Sequence, residues 1–178
     1  CGIISFVDNV MVKKEENLLP KIFLDKLVNI LEGYNFQWYF QKSTLDEKKE
    51  SLNNFMFSHN LYFNNKESSD WFSIFEPILY YINEKYKINQ LLRMKLNLYT
   101  NQHKKIKHSS HQDFINREDE DIKIGLLNFT TCDGGTNINN KVYGSKRNEL
   151  IVFDNYEKHY GITQTNTPTR VILNIGWK

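Results

Sequence analysis

His111-Gln112-Asp113, with His159 and Arg170 downstream, is the stretch on which the reading of this chain turns. On an extended strand, residues i and i+2 project to the same side, so the His111 imidazole and the Asp113 carboxylate can face one ion while Gln112 faces away. Two donors this close in sequence cannot close a shell, and a third has to return from elsewhere in the fold. The run Glu149-Leu150-Ile151-Val152-Phe153-Asp154 reads as a buried strand, and His159 lies just beyond it, where such a return would end. Two imidazoles and one carboxylate on one face of a metal, with the opposite face vacant, form the donor set of non-haem Fe(II) sites. Arg170 opens Arg170-Val171-Ile172-Leu173-Asn174-Ile175-Gly176-Trp177, an apolar and β-branched run that reads as a core strand. A buried guanidinium at a strand start needs an anion. The carboxylate of a dicarboxylic acid, gripped by two parallel charge-assisted hydrogen bonds, suits it.

By itself a His-x-Asp tripeptide is a weak signal. The order of parts strengthens it: strand, His-x-Asp, strand, a Gly-Gly turn, strand, His159, and then Arg170 on a final strand. The other histidines, His59, His103 and His108, are set aside as ligands. His108 and His111 are three apart, a spacing that suits a helix face, yet the surrounding Lys-rich and Ser-Ser sequence is a poor helix interior. A structural zinc site is disfavoured too, because its shell is closed by four ligands and rich in cysteine.

Taken together, these residues resemble the prolyl 4-hydroxylase-like branch of the 2-oxoglutarate and Fe(II)-dependent oxygenases, most closely the short single-domain members of marine phages and bacteria. The resemblance covers nearly the whole chain. Ile4-Ser5-Phe6-Val7-Asp8-Asn9 is similar to the opening strand, Phe36-Gln37-Trp38-Tyr39 to the following edge segment, and Leu96-Asn97-Leu98-Tyr99-Thr100-Asn101 to the strand before His-x-Asp. Asp133-Gly134-Gly135-Thr136 looks like the family's turn, and Asn148 to Asp154 and Arg170 to Asn174 complete the match. The resemblance implies that His111, Asp113 and His159 ligate Fe(II) and that Arg170 holds the distal carboxylate of the cosubstrate 2-oxoglutarate. It implies dioxygen as co-reactant and ascorbate as an auxiliary reductant. Tyr99 matches a tyrosine that hydrogen-bonds the cosubstrate, with a longer gap to His-x-Asp than is usual. Asn128 stands where the family has another tyrosine. Asn174 should share a face with Arg170, either toward the cosubstrate or as a polar residue satisfied inside the barrel. Were Arg170 not the anchor, Lys95 or Arg93 on the preceding strand would come next.

The implied fold is α+β, mainly β: a double-stranded β-helix, a jelly-roll (cupin-like) core with N-terminal helices on the outer face of its larger sheet. The residues agree. Ile22, Phe23, Leu27, Ile30 and Leu31 have helical spacing after Pro20, with Gly33 as a stop. Ser69 or Asp70 can cap a second helix carrying Trp71, Ile74, Phe75, Ile78, Leu79 and Ile82, kinked or split at Pro77. Between them, Phe55 to Phe63 reads as strand and residues 43–54 as a polar loop, equally readable as an active-site lid or a plain surface loop. From Leu91 onward short strands dominate.

A chain of 178 residues with 14% aromatic side chains fits one domain, residues 1–178, with a filled core. A mean hydropathy of -0.58 and no long apolar run speak against a membrane partner. The first residues include Asp8 and read as strand rather than signal peptide, so a cytoplasmic location is expected, that of the host if the chain is phage-encoded. Cys1, in place of an initiator methionine, reads as a truncation or expression remnant, and with Cys132 it makes no disulfide framework. A net charge of +2 is too mild for a nucleic-acid binder. The basic segments at residues 104–108 and 42–49 read first as solvated loops, although the former lies near enough to guide an anionic substrate. Asn128-Phe129-Thr130 is a glycosylation sequon on an inner strand, where that modification is not expected. Abundant Asn, Lys and Ile and the absence of Ala look like an AT-rich genome. Three readings stay open: a hydroxylase of prolyl residues in a peptide or protein, the same enzyme class acting on a free amino acid, other side chain or nucleobase, and a non-catalytic jelly-roll module. The retained quartet of His111, Asp113, His159 and Arg170 disfavours the last.

Overall fold

The computed structural model describes residues 12–43, 53–115, 117 and 121–178. The opening strand expected at residues 4–9, Cys1 and most of the loop at 43–54 lie outside these residues. In chain order the elements are β1 (Lys13–Glu16), α1 (Lys21–Leu31), β2 (Tyr39–Gln41), β3 (Met56–Phe63), β4 (Lys66–Glu67), α2 (Phe72–Phe75), α3 (Ile78–Asn83) and β5 (Leu91–Thr100). Then follow β6 (Lys123–Asn128), β7 (Cys132–Ile138), β8 (Lys141–Ser145), β9 (Glu149–Asp154), β10 (His159–Ile162) and β11 (Thr169–Trp177). Two antiparallel sheets result. The larger runs β1-β9-β6-β11-β5-β3-β2, with β4 beside β3, and the smaller runs β10-β7-β8. No described helix is long and apolar enough to cross a membrane.

Period-two alternation separates two cores. On β11, Val171, Leu173, Ile175 and Trp177 face the helices, where they meet Leu27, Phe75 and Ile78. Ile172 faces the opposite way, into a second cluster with Tyr99, Ile124, Leu126 and Phe153 between the sheets. Arg170 and Asn174 share that inner face with Ile172 and are buried. The helices therefore cover the outer face of the larger sheet, leaving its inner face to hold polar side chains.

Local chemistry explains the helix bounds. Pro20 sits at the start of α1, where its missing N–H is not needed, and Glu32 ends the helix one residue before Gly33. Pro77 splits the second helical pattern into α2 and α3, as its ring and missing donor require. Ser69 Oγ accepts from Trp71 N at 3.2 Å and so serves the entry to α2.

Two expectations are corrected. The edge strand begins at Tyr39 and runs to Gln41, later than Phe36-Gln37-Trp38-Tyr39, because Phe36 is drawn into the core against Trp38, Trp71 and Phe75. Asp133-Gly134-Gly135-Thr136 is not a turn but lies inside β7. Neither glycine has positive φ. They are present because other chain passes too close: a Cβ on Gly135 would sit 2.4 Å from Tyr143 O, and one on Gly134 2.9 Å from Ile162 O and 3.2 Å from Arg170 Cδ.

Candidate metal centre

His111 and His159 are set opposite one another by the backbone. Their peptide groups exchange both N–H···O bonds, each at 3.0 Å, as in a hydrogen-bonded antiparallel pair. The rings consequently lie on one side, with centroids 4.4 Å apart. Two residues on, Asp113 turns to the same side, while Gln112 points off to donate to Tyr156 O at 2.8 Å. The Asn155 amide clamps the next residue, accepting from Phe114 N and donating to Phe114 O, both at 3.0 Å. One donor atom from each of His111, Asp113 and His159 lies within 4.8 Å of the others. His111 Nε2 is 3.7 Å from Asp113 Oδ1, and His159 Nε2 is 3.6 Å from Asp113 Oδ2.

Hydrogen bonds orient the three donors. His111 Nδ1 faces Ser109 O at 3.3 Å and His159 Nδ1 faces Glu157 O at 3.2 Å. A carbonyl oxygen only accepts, so each Nδ1 carries a hydrogen and each Nε2 is the ring nitrogen turned toward Asp113. Burial, then His159, lowers the pKa of His111. Burial alone would raise the Asp113 pKa, but Arg93, the two imidazoles and the Asn174 amide together hold it well below the usual carboxylate range. Arg93 Nη2 reaches Asp113 Oδ1 at 2.7 Å, and Asn174 Nδ2 donates to Asp113 Oδ2 at 3.0 Å. Arg93 also donates to Asn174 Oδ1 at 2.9 Å, which closes a three-residue brace. Two imidazole nitrogens and a carboxylate converging in this way form a donor set for a metal ion.

Beside this trio lies a cavity of roughly 310 Å³ whose wall includes Lys95, Asn97, Tyr99, His108 and Asn174. Arg170 stands behind Tyr99, 1% exposed, with its guanidinium 5.5 Å from the Tyr99 ring centroid. Its Nη2 donates to Thr136 Oγ1 at 3.0 Å, its Nη1 only grazes Ile162 O at 3.5 Å, and its Nε has no partner. No carboxylate pairs with it among the described residues, and burial lowers its pKa. A buried cation left without a counter-ion is expensive, and an anion reaching it from the cavity would remove that penalty. Arg93 Nε, Asn97 Oδ1, His108 Nε2 and Arg170 Nε are all buried without hydrogen-bond partners. Three of these residues, Arg93, Asn97 and His108, line the cavity, and orphaned polar atoms there mark a place where a polar ligand completes the structure.

The structure thus brings together His111, Asp113, His159, Tyr99 and Asn174, with Arg170 one ring behind. It does not bring Asn128. That amide donates to Glu149 O at 3.3 Å and accepts from Ser145 Oγ at 3.0 Å, so it ties β6 to its neighbours and takes no part in lining the cavity. Asn174 faces the site, but its amide is spent on Asp113. His108 stays outside the ligand trio, as expected from its surroundings, yet it lines the cavity as a neutral imidazole, its pKa pushed down to about 4 by burial and then by Arg170 and His111. His59 is structural, with both nitrogens engaged by Gln37 O and Ser69 Oγ. Sequence reading missed Arg93 as the partner of Asp113, Thr136 as the partner of Arg170, and the Asn155 clamp. Arg93 was within reach, since it shares a strand face with Tyr99 by strict alternation.

No protein-family model matches the sequence, and the search of curated proteins finds no match either. Solved structures do match. A prolyl-4-hydroxylase from Pseudomonas putida aligns over 95% of this chain and 92% of its own, with TM-score 0.59 and 15% identity. A 2OG-Fe(II) oxygenase family oxidoreductase from Burkholderia pseudomallei aligns over 93% and 85%, with TM-score 0.65 and 8% identity. A Trichoplax adhaerens prolyl hydroxylase in complex with a hypoxia inducible factor peptide fragment aligns over 93% and 82%, with TM-score 0.60 and 14% identity. At these identities the likeness is one of architecture, and its extent over both partners is clear: the chain has the double-stranded β-helix fold of the prolyl 4-hydroxylases and other 2-oxoglutarate and Fe(II) oxygenases.

Proposed function

We propose that this protein is an Fe(II)- and 2-oxoglutarate-dependent dioxygenase that hydroxylates a substrate C–H bond, with prolyl residues of a peptide or protein as the substrate. The observation that carries the class is the convergence of the His111, Asp113 and His159 donors beside a cavity, with the buried Arg170, which no described carboxylate pairs, standing behind its Tyr99 wall. Iron in such a site supplies the oxidation, coupling decarboxylation of the 2-oxo acid to succinate with hydroxylation of the substrate; the protein's part is orientation and exclusion of side reactions.

His111, Asp113 and His159 would hold the metal. The carbonyls of Ser109 and Glu157 fix the two rings, and the Arg93 and Asn174 brace fixes the Asp113 carboxylate, so the ligands are oriented before the ion arrives. Arg170 would receive the distal carboxylate of 2-oxoglutarate with its free Nε edge, and Thr136 steadies the other end of the guanidinium. Tyr99 walls the route between the two, its phenol kept protonated by burial. Asn174 serves the cosubstrate indirectly, through Asp113, and Asn128 is left with a structural part.

The prolyl assignment draws on the architectural likeness to the P. putida and T. adhaerens hydroxylases. It is tested by incubating the Fe(II)-loaded protein with 2-oxoglutarate and either proline-containing peptides or free proline. Peptides should stimulate succinate release and gain one oxygen by mass, with free proline a poor substitute. The reverse preference moves the assignment to a free amino acid, and stimulation by single-stranded nucleic acid alone moves it to a nucleobase.

A further inference from the structure

β5 presents Arg93, Lys95, Asn97 and Tyr99 along one face, since alternate residues share a side, and all four line the cavity. Their partnerships differ. Arg93 is bound to Asp113 and Asn174, and Tyr99 lies against Arg170 and His108. Lys95 stands opposite Asn174 in the β5–β11 register, hence at the level of the Asp113 carboxylate that Asn174 holds. Its ammonium has no hydrogen bond or ion pair among the described residues. The neighbouring Asn97 Oδ1 is buried and equally unmatched.

Charge makes this arrangement one-sided. Arg93 and Lys95 line the cavity and Arg170 stands behind Tyr99, while among the described lining residues Asp113 is the one carboxylate and is committed to the metal trio. A divalent metal and a dicarboxylate cosubstrate cancel each other, so their arrival leaves the positive excess in place. Lys95 lies four residues along β5 from Tyr99, the register partner of Arg170, or about 13 Å at strand spacing, so the two cations enter the site from different levels. We propose that Lys95 receives a carboxylate of the molecule to be oxidised, so that the substrate carries an acid group close to the carbon that reacts. Burial and then the neighbouring Arg93 lower the Lys95 pKa against the smaller opposing pull of Asp113, and an incoming carboxylate would add to that pull. The inference rests on the oxygenase reading above and narrows its substrate. The carboxylate comes either from an acidic residue beside the reacting one in a peptide or from the α-carboxylate of a free amino acid.

The test pairs acids with their amides. A blocked peptide with Glu beside proline is compared with its Gln counterpart, and L-proline with L-prolinamide, reading both affinity for the anaerobic Fe(II)–2-oxoglutarate protein and stimulated succinate release. At least one acid should exceed its amide by about tenfold or more, as expected for a partly buried charge pair. Which pair shows the difference identifies the source. Lys95→Met should erase that preference and Lys95→Glu should invert it toward the amide, with 2-oxoglutarate affinity retained in both as evidence of an intact fold. Equal behaviour of acid and amide in the wild type, including no response to any of the four, overturns the inference, as does a preference that survives Lys95→Met. If the wild type fails to bind 2-oxoglutarate at all, the oxygenase reading falls first and this inference with it.

Discussion

Replacing Arg170 by alanine separates anion binding from metal binding. In the structure the guanidinium is 1% exposed, makes one sound hydrogen bond, to Thr136, and one marginal contact, to Ile162 O. Most of its donor capacity is therefore unused among the described residues. Truncating one member of a buried charge pair costs about 2 to 5 kcal/mol, or roughly thirty-fold to several thousand-fold in affinity. Arg170→Ala should weaken 2-oxoglutarate binding by that factor and leave Fe(II) binding intact, because none of the three ligands contacts Arg170. Arg170→Lys should fall between, keeping the charge without the planar two-point grip. A second consequence follows from the missing counter-ion. Arg170→Met, which fills similar space without a buried cation, should leave the ligand-free protein at least as stable as the wild type, since an uncompensated buried charge disfavours folding. The assay is an anaerobic titration of 2-oxoglutarate into Fe(II)-loaded variants, followed by the metal-to-cosubstrate charge-transfer band, with thermal melts of the ligand-free forms alongside. A wild-type binding curve in Arg170→Ala would refute the reasoning, and a marked loss of stability in Arg170→Met would mean the cation is compensated in a way the geometry does not reveal.

The brace on Asp113 gives a graded case: Asn174→Ala removes a hydrogen bond to the carboxylate without touching a ligand, and should cost about 10- to 100-fold in Fe(II) affinity, read by competition with a chelating dye. His108 gives a pH dependence. Its pKa is about 4 in the fold against about 6.5 in the unfolded chain, so between those values the unfolded state binds the extra proton and stability falls as pH falls, by roughly 3 kcal/mol over the window. Urea unfolding of the metal-free protein should show that slope, His108→Gln should reduce it, and a slope unchanged by the substitution would remove His108 as its source. Gly135→Ala should destabilise the β7–β8 pair by about 1 to 3 kcal/mol, because its Cβ would meet a backbone oxygen at 2.4 Å; a neutral effect on the melting temperature would show that the close approach is not needed.

Much of the site could be read from spacing. The i, i+2 relation put His111 and Asp113 on one side, the apolar run Glu149 to Asp154 led the chain back to His159, and the alternation of β11 placed Arg170 and Asn174 on the inner face, all as found. The failures share a cause. Gly134-Gly135 looks like a turn because local sequence carries no record of what packs against it; the answer lies in Tyr143 and Ile162, which only the tertiary structure brings near. Asn128 was read by position in a family pattern, whereas its amide is claimed by Ser145 and Glu149, partners 17 and 21 residues away. Arg93 was named only as a substitute anchor for the cosubstrate, because the sequence shows its charge but not that Asp113 needs it. Asn155 bears no local mark of its clamp on Phe114, which is 41 residues distant. Long-range hydrogen bonds of buried amides are what patterning cannot see.

The central claim is that His111, Asp113 and His159 hold one Fe(II) ion. Anaerobic Fe(II) titration of the wild type, His111→Ala, Asp113→Ala, His159→Ala and His108→Ala, read by calorimetry, tests it in a single experiment. The account predicts one equivalent bound by the wild type and by His108→Ala, and loss of that site in each of the other three. Undiminished iron affinity in those three, or a loss in His108→Ala equal to that in His111→Ala, would contradict it.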